Sequence, residues 1–158
     1  MQTFVPLTDS FGEIAKVLDR QRLNKQALEG WQILMTLLEL DPQGNHRTPK
    51  GWVNHPAAKM WSQHTDALKA YGNECIKEWV ARGYNNTMPL WEVPETYDMP
   101  WWWGWDTFHK SHRDNLFRKD PEHYSFFADA DPDGPYIWPH KAENQYHIGN
   151  EQLIRMRR

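Results

Sequence analysis

Residues Glu13–Leu40 read EIAKVLDRQRLNKQALEGWQILMTLLEL, a stretch without proline and with one glycine, Gly30. Leu23, Ala27, Trp31, Leu34 and Leu38 recur at steps of three and four, the period of an amphipathic helix. The stretch predicts one long helix, with Asp9 or Ser10 as its N-cap. Beyond it, Asp41 to Gly51 reads as a surface loop by its Pro, Gly and Asn content. A second helix is expected over Pro56–Arg82, where Ala57, Met60, Trp61, Leu68, Tyr71, Cys75 and Trp79 keep the period, Pro56 suits N1 and Gly83 suits the terminator. Gly72 inside it marks either a close approach or a local break. A third helix is expected over Thr107–Lys119, stopped by Pro121. The connections 84–107 and 121–150 are rich in Pro and Trp, a short amphipathic tail runs over Glu151–Arg157, and no repeat or alternating strand pattern is visible. The expected fold is all-α: one compact domain, residues 1–158, of three main helices with long irregular Trp- and Pro-rich connections.

The chain has 158 residues, 39% of them hydrophobic, enough for one core, and a single cysteine, Cys75, which rules out an internal disulfide. No stretch of about 18 apolar residues occurs and the start lacks a signal-peptide pattern, so the expectation is a cytoplasmic protein with no membrane partner. The net charge is −3, from 18 basic and 21 acidic side chains. It is uneven: residues 1–82 hold ten basic and nine acidic groups, 83–140 four and ten, and 141–158, a short basic tail, four and two. A polyanion would meet local patches, not a globally attractive field.

On the first helix Asp19, Arg22, Gln26 and Glu29 fall within about 80° of one another at 100° per residue. Such a stripe bordering the core is either an active-site wall or a set of surface ion pairs. Arg20 and Lys25 beside it offer phosphate contacts or a solvated face. His109, Ser111, His112, Arg113 and Lys119 share the third helix and form a donor cluster suited to phosphate and sugar oxygens. The His-x-x-His pair has no third ligand at hand, and Asp129–Gly134 imitates a calcium loop but has His140 where the closing carboxylate is needed, so no metal is expected. Trp101–Trp105 is read mainly as core, with base stacking as the rival reading.

Three segments resemble the pyrimidine-dimer DNA glycosylases, the phage endonuclease V family. His55-Pro-Ala-Ala-Lys-Met-Trp61 with Asp66-Ala-Leu68 and Glu74–Asn85 is similar to that family's central helix and its Arg-Gly-aromatic-Asn exit. His109-x-Ser111 followed by Leu116, Lys119, Pro121 and Tyr124 is similar to a later stretch. The opening Met1-Gln-Thr-Phe with Leu18-Asp-Arg-Gln-Arg-Leu-Asn-Lys-Gln26 looks like a bacterial branch of the superfamily. The likeness spans about residues 1–140.

The resemblance implies an enzyme that excises a damaged or modified base from duplex DNA and then cuts the strand. An N-terminal amine attacks C1′ of the sugar to form an imine, a first-helix carboxylate assists, and arginines hold phosphates. Because Gln2 is bulky, Met1 is expected to be retained and its own amine to serve. The position aligned through Arg22 carries no carboxylate, which leaves Glu29, the preferred candidate, and Asp19. The implied DNA contacts are Gln2, Arg20, Lys25, Gln26, His55, His109, Ser111, His112, Arg113 and Lys119, without a cofactor and in a monomer. The rival readings are a non-catalytic nucleic-acid-binding module on the same scaffold and a Trp-rich domain that binds a protein or small ligand.

Overall fold

The long first helix of the sequence reading is two helices. In the computed structural model, which describes residues 2–149 and 154–156, α1 spans Phe11–Val17 and α2 spans Arg20–Leu38. Ser10 caps α1, its hydroxyl accepting from Glu13 N. Between the two helices Leu18 is extended and Asp19 becomes the N-cap of α2, its carboxylate accepting from Arg22 N. The loose carbonyls at the end of α1 are taken by Arg82, whose Nη2 donates to Ala15 O, Lys16 O and Leu18 O at 3.2, 3.1 and 2.8 Å. Hydrophobic period cannot report this break, because the apolar phase resumes across it while the backbone leaves the helix for one cap.

The second expected helix is likewise divided. A 3-10 turn, Gly51–Asn54, leads into α3, Pro56–Trp61, and α4 follows over Thr65–Ala81. Gln63 between them adopts φ of 69°, in the left-handed region. Pro56 stands at N1 of α3 and Gly83, at φ of 93°, follows α4. Gly72 marks neither a break nor a close approach: α4 runs through it, and a Cβ there would meet nothing within 4 Å. The helix approach is at Gly30, where a Cβ would lie 3.7 Å from Leu68 Cδ1 of α4. α5 spans Asp106–Lys119, one residue longer than expected.

The all-α expectation needs a second correction. β1 (Ile137–Pro139), β2 (Gln145–Ile148) and β3 (Ile154–Arg155) form a small antiparallel sheet in that order, with Ile137 opposite Ile148 and Tyr146 opposite Ile154. Strands of two to four residues are too short for alternation to be read. Ile154 and Arg155 of the expected amphipathic tail are therefore strand; the rest of that tail, apart from Met156, lies outside the described residues. No helix among the described residues is long and apolar enough to cross a membrane.

The core is unusually aromatic. Trp61 and Trp102 are fully buried and meet edge to face at 5.0 Å, and the indole N–H of Trp102 donates to Met60 O at 2.9 Å. Trp101, Trp103 and Trp105 pack against this core as partly buried flanks. The acidic turn at 129–134 docks on α5: Asp114 accepts from Asp131 N at 2.8 Å, and a Cβ on Gly134 would run into the Asp114 carboxylate.

Through this core runs the N-terminal segment, extended, buried from Thr3 to Pro6 and belonging to no sheet. A buried backbone must find partners, and here side chains supply them. Val5 N donates to His112 Nδ1 at 2.9 Å, Val5 O takes the Nδ1 proton of His109 at 2.8 Å, and Pro6 O accepts from Arg113 at 2.9 Å. His109 Nε2 accepts from Gly104 N at 2.9 Å, so both rings serve as neutral imidazoles. Burial holds both below the ordinary imidazole pKa, His112 well below.

The sign of the pH effect follows. Below about pH 6.5 the unfolded chain protonates these imidazoles and the folded one does not, so stability falls with pH, by up to about 1.4 kcal/mol per unit for each ring. Denaturant midpoints are expected to be steady down to about pH 6.5 and to decline toward pH 5. A flat profile over that range would show that the folded protein takes up these protons freely.

Candidate active site

The site is built on one side of α2. Asp19 starts the helix, and Arg22, Lys25, Gln26 and Glu29 follow at the three- and four-residue steps that keep side chains neighbours. Arg22, Lys25, Gln26 and Glu29, together with Gln2 and with Lys119 from the last turn of α5, line a pocket of about 130 Å³. Phe4 and Gln21 complete its wall.

Gln26 is the hinge of the arrangement. It is 1% exposed, and both ends of its amide are used on the N-terminal segment. Its Oε1 accepts from Phe4 N at 2.8 Å, and its Nε2 donates to Gln2 O at 3.2 Å. The Tyr71 hydroxyl lies 2.6 Å from Phe4 O and 2.8 Å from Gln26 Oε1, its one proton serving either. The segment is thus aligned beside α2, and Gln2 N donates to Glu29 Oε2 at 3.3 Å. The Gln2 side chain reaches the Tyr136 hydroxyl.

Among the described residues that line the pocket Glu29 is the single carboxylate, half-buried among cations. Burial raises its pKa above the ordinary carboxyl value, outweighing the Gln2 N–H and the charges of Lys25 and Lys119 that pull it down. A carboxyl raised in this way, beside positive groups, has the chemistry of a proton donor or acceptor toward a bound molecule.

Asp19 is differently employed. It caps α2, pairs with Arg22 at 3.2 Å and accepts from the Tyr124 hydroxyl at 2.5 Å. Burial pushes its carboxyl up, but Tyr124 and Arg22 prevail and hold it below the ordinary value. Arg20 lies outside the pocket, its guanidinium 4.9 Å over the Tyr84 ring. His55 caps α3, its Nδ1 accepting from Ala57 N at 3.1 Å. Met1 lies outside the described residues.

The donor cluster expected on the third helix does not form a phosphate site. His109, Ser111 and His112 are buried, and Ser111 Oγ donates to Phe108 O at 2.7 Å. Arg113 is held between Asp106 and Asp129, at 3.3 and 2.7 Å. Their donors face inward because the N-terminal segment and the acidic turn lie against α5. Of the residues expected on that helix, Lys119 alone reaches the pocket. Sequence reasoning missed Tyr71, read only as core, and Phe4 and Gln21; nothing local marks Tyr71, whose partner is 67 residues away.

A family model described as pyrimidine dimer DNA glycosylase matches residues 1–92, more than half of the chain. The chain belongs to that family. Neither the curated proteins nor the solved structures gave a match. The segment matched by the glycosylase family contains Glu29, Gln26, Lys25, Arg22 and Gln2, and the helices α1 to α4 that carry or support them. Lys119 and the two imidazoles that hold Val5 come from beyond it.

Proposed function

We propose that this member of the glycosylase family excises a damaged or modified base from duplex DNA and cleaves the resulting abasic site through an imine on the Met1 amine, with Glu29 as its proton carrier. The observation that carries the proposal is the hydrogen bond from Gln2 N to Glu29 Oε2 at 3.3 Å. Three covalent bonds separate Gln2 N from the amine of the preceding residue, so the two nitrogens are within about 4 Å of each other. An α-amine has a pKa near 7.7–8.0, so a useful fraction is neutral and nucleophilic at cellular pH.

In the reaction the amine lone pair attacks C1′, and the glycosidic bond breaks with its electrons leaving on the base, which takes up a proton. Loss of the amine proton and opening of the C1′–O4′ bond, with a proton delivered to O4′, give the imine. Glu29 is the group in reach for these transfers. The imine then draws electrons from the C2′–H bond as its proton is removed, and the C3′–O bond to the phosphate breaks. Water releases the sugar remnant and regenerates the amine. Arg22, Lys25 and Lys119 supply the positive rim for flanking phosphates.

Borohydride reduction in the presence of DNA carrying one abasic site tests this. A covalent adduct mapped to Met1 by mass spectrometry, and lost when the amine is acetylated beforehand, is the expected result. Folded protein that retains the DNA but gives no adduct would establish the non-catalytic binding module instead.

A further inference from the structure

Gln2 is held by its backbone and by its side chain from different parts of the fold. Its N–H and its C=O both turn to α2, onto Glu29 Oε2 at 3.3 Å and Gln26 Nε2 at 3.2 Å. In an extended chain these two groups lie along one edge and the side chain stands across it. Bonds along a single edge leave a residue free to rock about that edge. The third hold comes from outside α2: the Gln2 amide Nε2 donates to the Tyr136 hydroxyl.

Tyr136 immediately precedes β1 and is firmly seated. Its ring stacks on Trp138 at 4.7 Å between centroids and lies 5.3 Å from the His112 ring. Its carbonyl accepts from Gly149 N at 2.9 Å, and the N–H of the next residue, Ile137, donates to Ser111 Oγ at 3.3 Å. None of these contacts uses the hydroxyl, so a phenylalanine would keep them all. The hydroxyl meets the side chains of Gln2 and Asn115. Asn115 is in turn held by Arg118, which donates from Nη1 to Asn115 Oδ1 at 3.1 Å and ties down Pro132 O and Gly134 O at 2.7 Å each. A line of hydrogen bonds thus runs from the acidic turn through Arg118, Asn115 and Tyr136 to the residue whose N–H meets Glu29. Those three residues lie beyond the segment that the family model matches.

We propose that Tyr136 is a positioning residue of the imine reaction, fixing the side chain of Gln2 and with it the peptide plane through which the N-terminal amine is joined to the chain. This rests on the glycosylase reading and extends it. The peptide unit is planar, so its tilt at Gln2 N decides where the preceding Cα and its amine lie. With the side chain tethered, Gln2 N stays aimed at Glu29; without the tether the residue rocks, and the amine spends less of its time in line with C1′. Tyr136 acts through Gln2 alone, so its loss falls on the chemical steps and not on affinity.

The test uses the full chain. Tyr136→Phe removes the hydroxyl and keeps the ring. Gln2→Leu removes the amide and keeps a bulky residue behind Met1, so the same amine remains. Single-turnover cleavage and borohydride trapping are followed on a duplex with one abasic site, and affinity on a duplex with a tetrahydrofuran analogue, which cannot form an imine. Each single variant is expected to cleave and trap about tenfold more slowly, with affinity within about twofold of wild type. The double variant is expected to lose about tenfold as well, because both changes cut the same bond. A loss of about a hundredfold in the double variant, the product of two independent effects, would overturn the proposal. So would a Tyr136→Phe protein that melts lower than wild type yet cleaves at the wild-type rate, since Tyr136 would then serve the scaffold alone. If Tyr136→Phe does not fold, Gln2→Leu decides, and wild-type cleavage by that variant overturns the proposal. Wild type that retains the analogue duplex but traps no adduct overturns the lyase reading itself, and this proposal with it.

Discussion

Glu29→Gln is expected to slow strand cleavage at an abasic site by about 10²- to 10⁴-fold, the usual range for loss of a positioned acid or base. The amide keeps an oxygen to accept from Gln2 N, so the N-terminal segment stays docked. DNA affinity is expected to hold or rise, because a carboxylate in a basic pocket has been neutralised. Stability should also rise at neutral pH. The Glu29 carboxyl is raised above 4.5 in the folded protein, so the folded state holds its proton more firmly than the unfolded one, and wild type loses stability as pH climbs from about 4.5 through the raised value. The glutamine has no such loss. A less active but more stable variant is the signature of a strained functional group. Single-turnover cleavage with thermal unfolding at pH 7.5 decides it; cleavage within tenfold of wild type would return the role to Asp19.

Gln26→Leu is expected to be the most damaging change among the site's uncharged residues. It removes the acceptor of the buried Phe4 N and the donor to the part-buried Gln2 O. Each such group costs about 1–3 kcal/mol, so a total near 3 kcal/mol is expected from guanidinium unfolding. The kinetic consequence is separable from this. At a temperature where the variant is folded, DNA binding by the surrounding cations should be close to normal, while on the proposed mechanism cleavage falls at least tenfold because Gln2 N is no longer held against Glu29. Equal losses in binding and cleavage would mean that Gln26 supports the scaffold alone.

The helices were legible because their apolar residues keep period over many turns; their interruptions were not, because each is only two or three residues long. Asp19 shows the difficulty. An aspartate three residues before an arginine at the start of an apolar-periodic run reads equally as a stripe acid and as an N-cap, and the structure uses it as the cap. Glu29 could be placed on the stripe from spacing, but its hydrogen bond to Gln2 spans 27 positions and leaves no local trace. The histidines of α5 misled for the same reason: His112 and Val5 are 107 residues apart, and a buried imidazole that accepts from a backbone N–H has the same spelling as one that donates to phosphate. The small sheet fell below the length at which alternation can be seen.

The manner in which the N-terminal segment is held also fixes when its alignment can form. During synthesis the N-terminal segment emerges before any of its partners, and the last of them, on α5, follow by more than one hundred residues. Until His109, His112 and Arg113 have left the ribosome, Val5 and Pro6 have only solvent to satisfy their backbone groups, and the contacts that align the chain's start are among the longest-range in the molecule. Nascent chains ending before α5 therefore possess the first helices and Glu29 but not the alignment. The alignment of the N-terminal segment is thus complete only once α5 has been made.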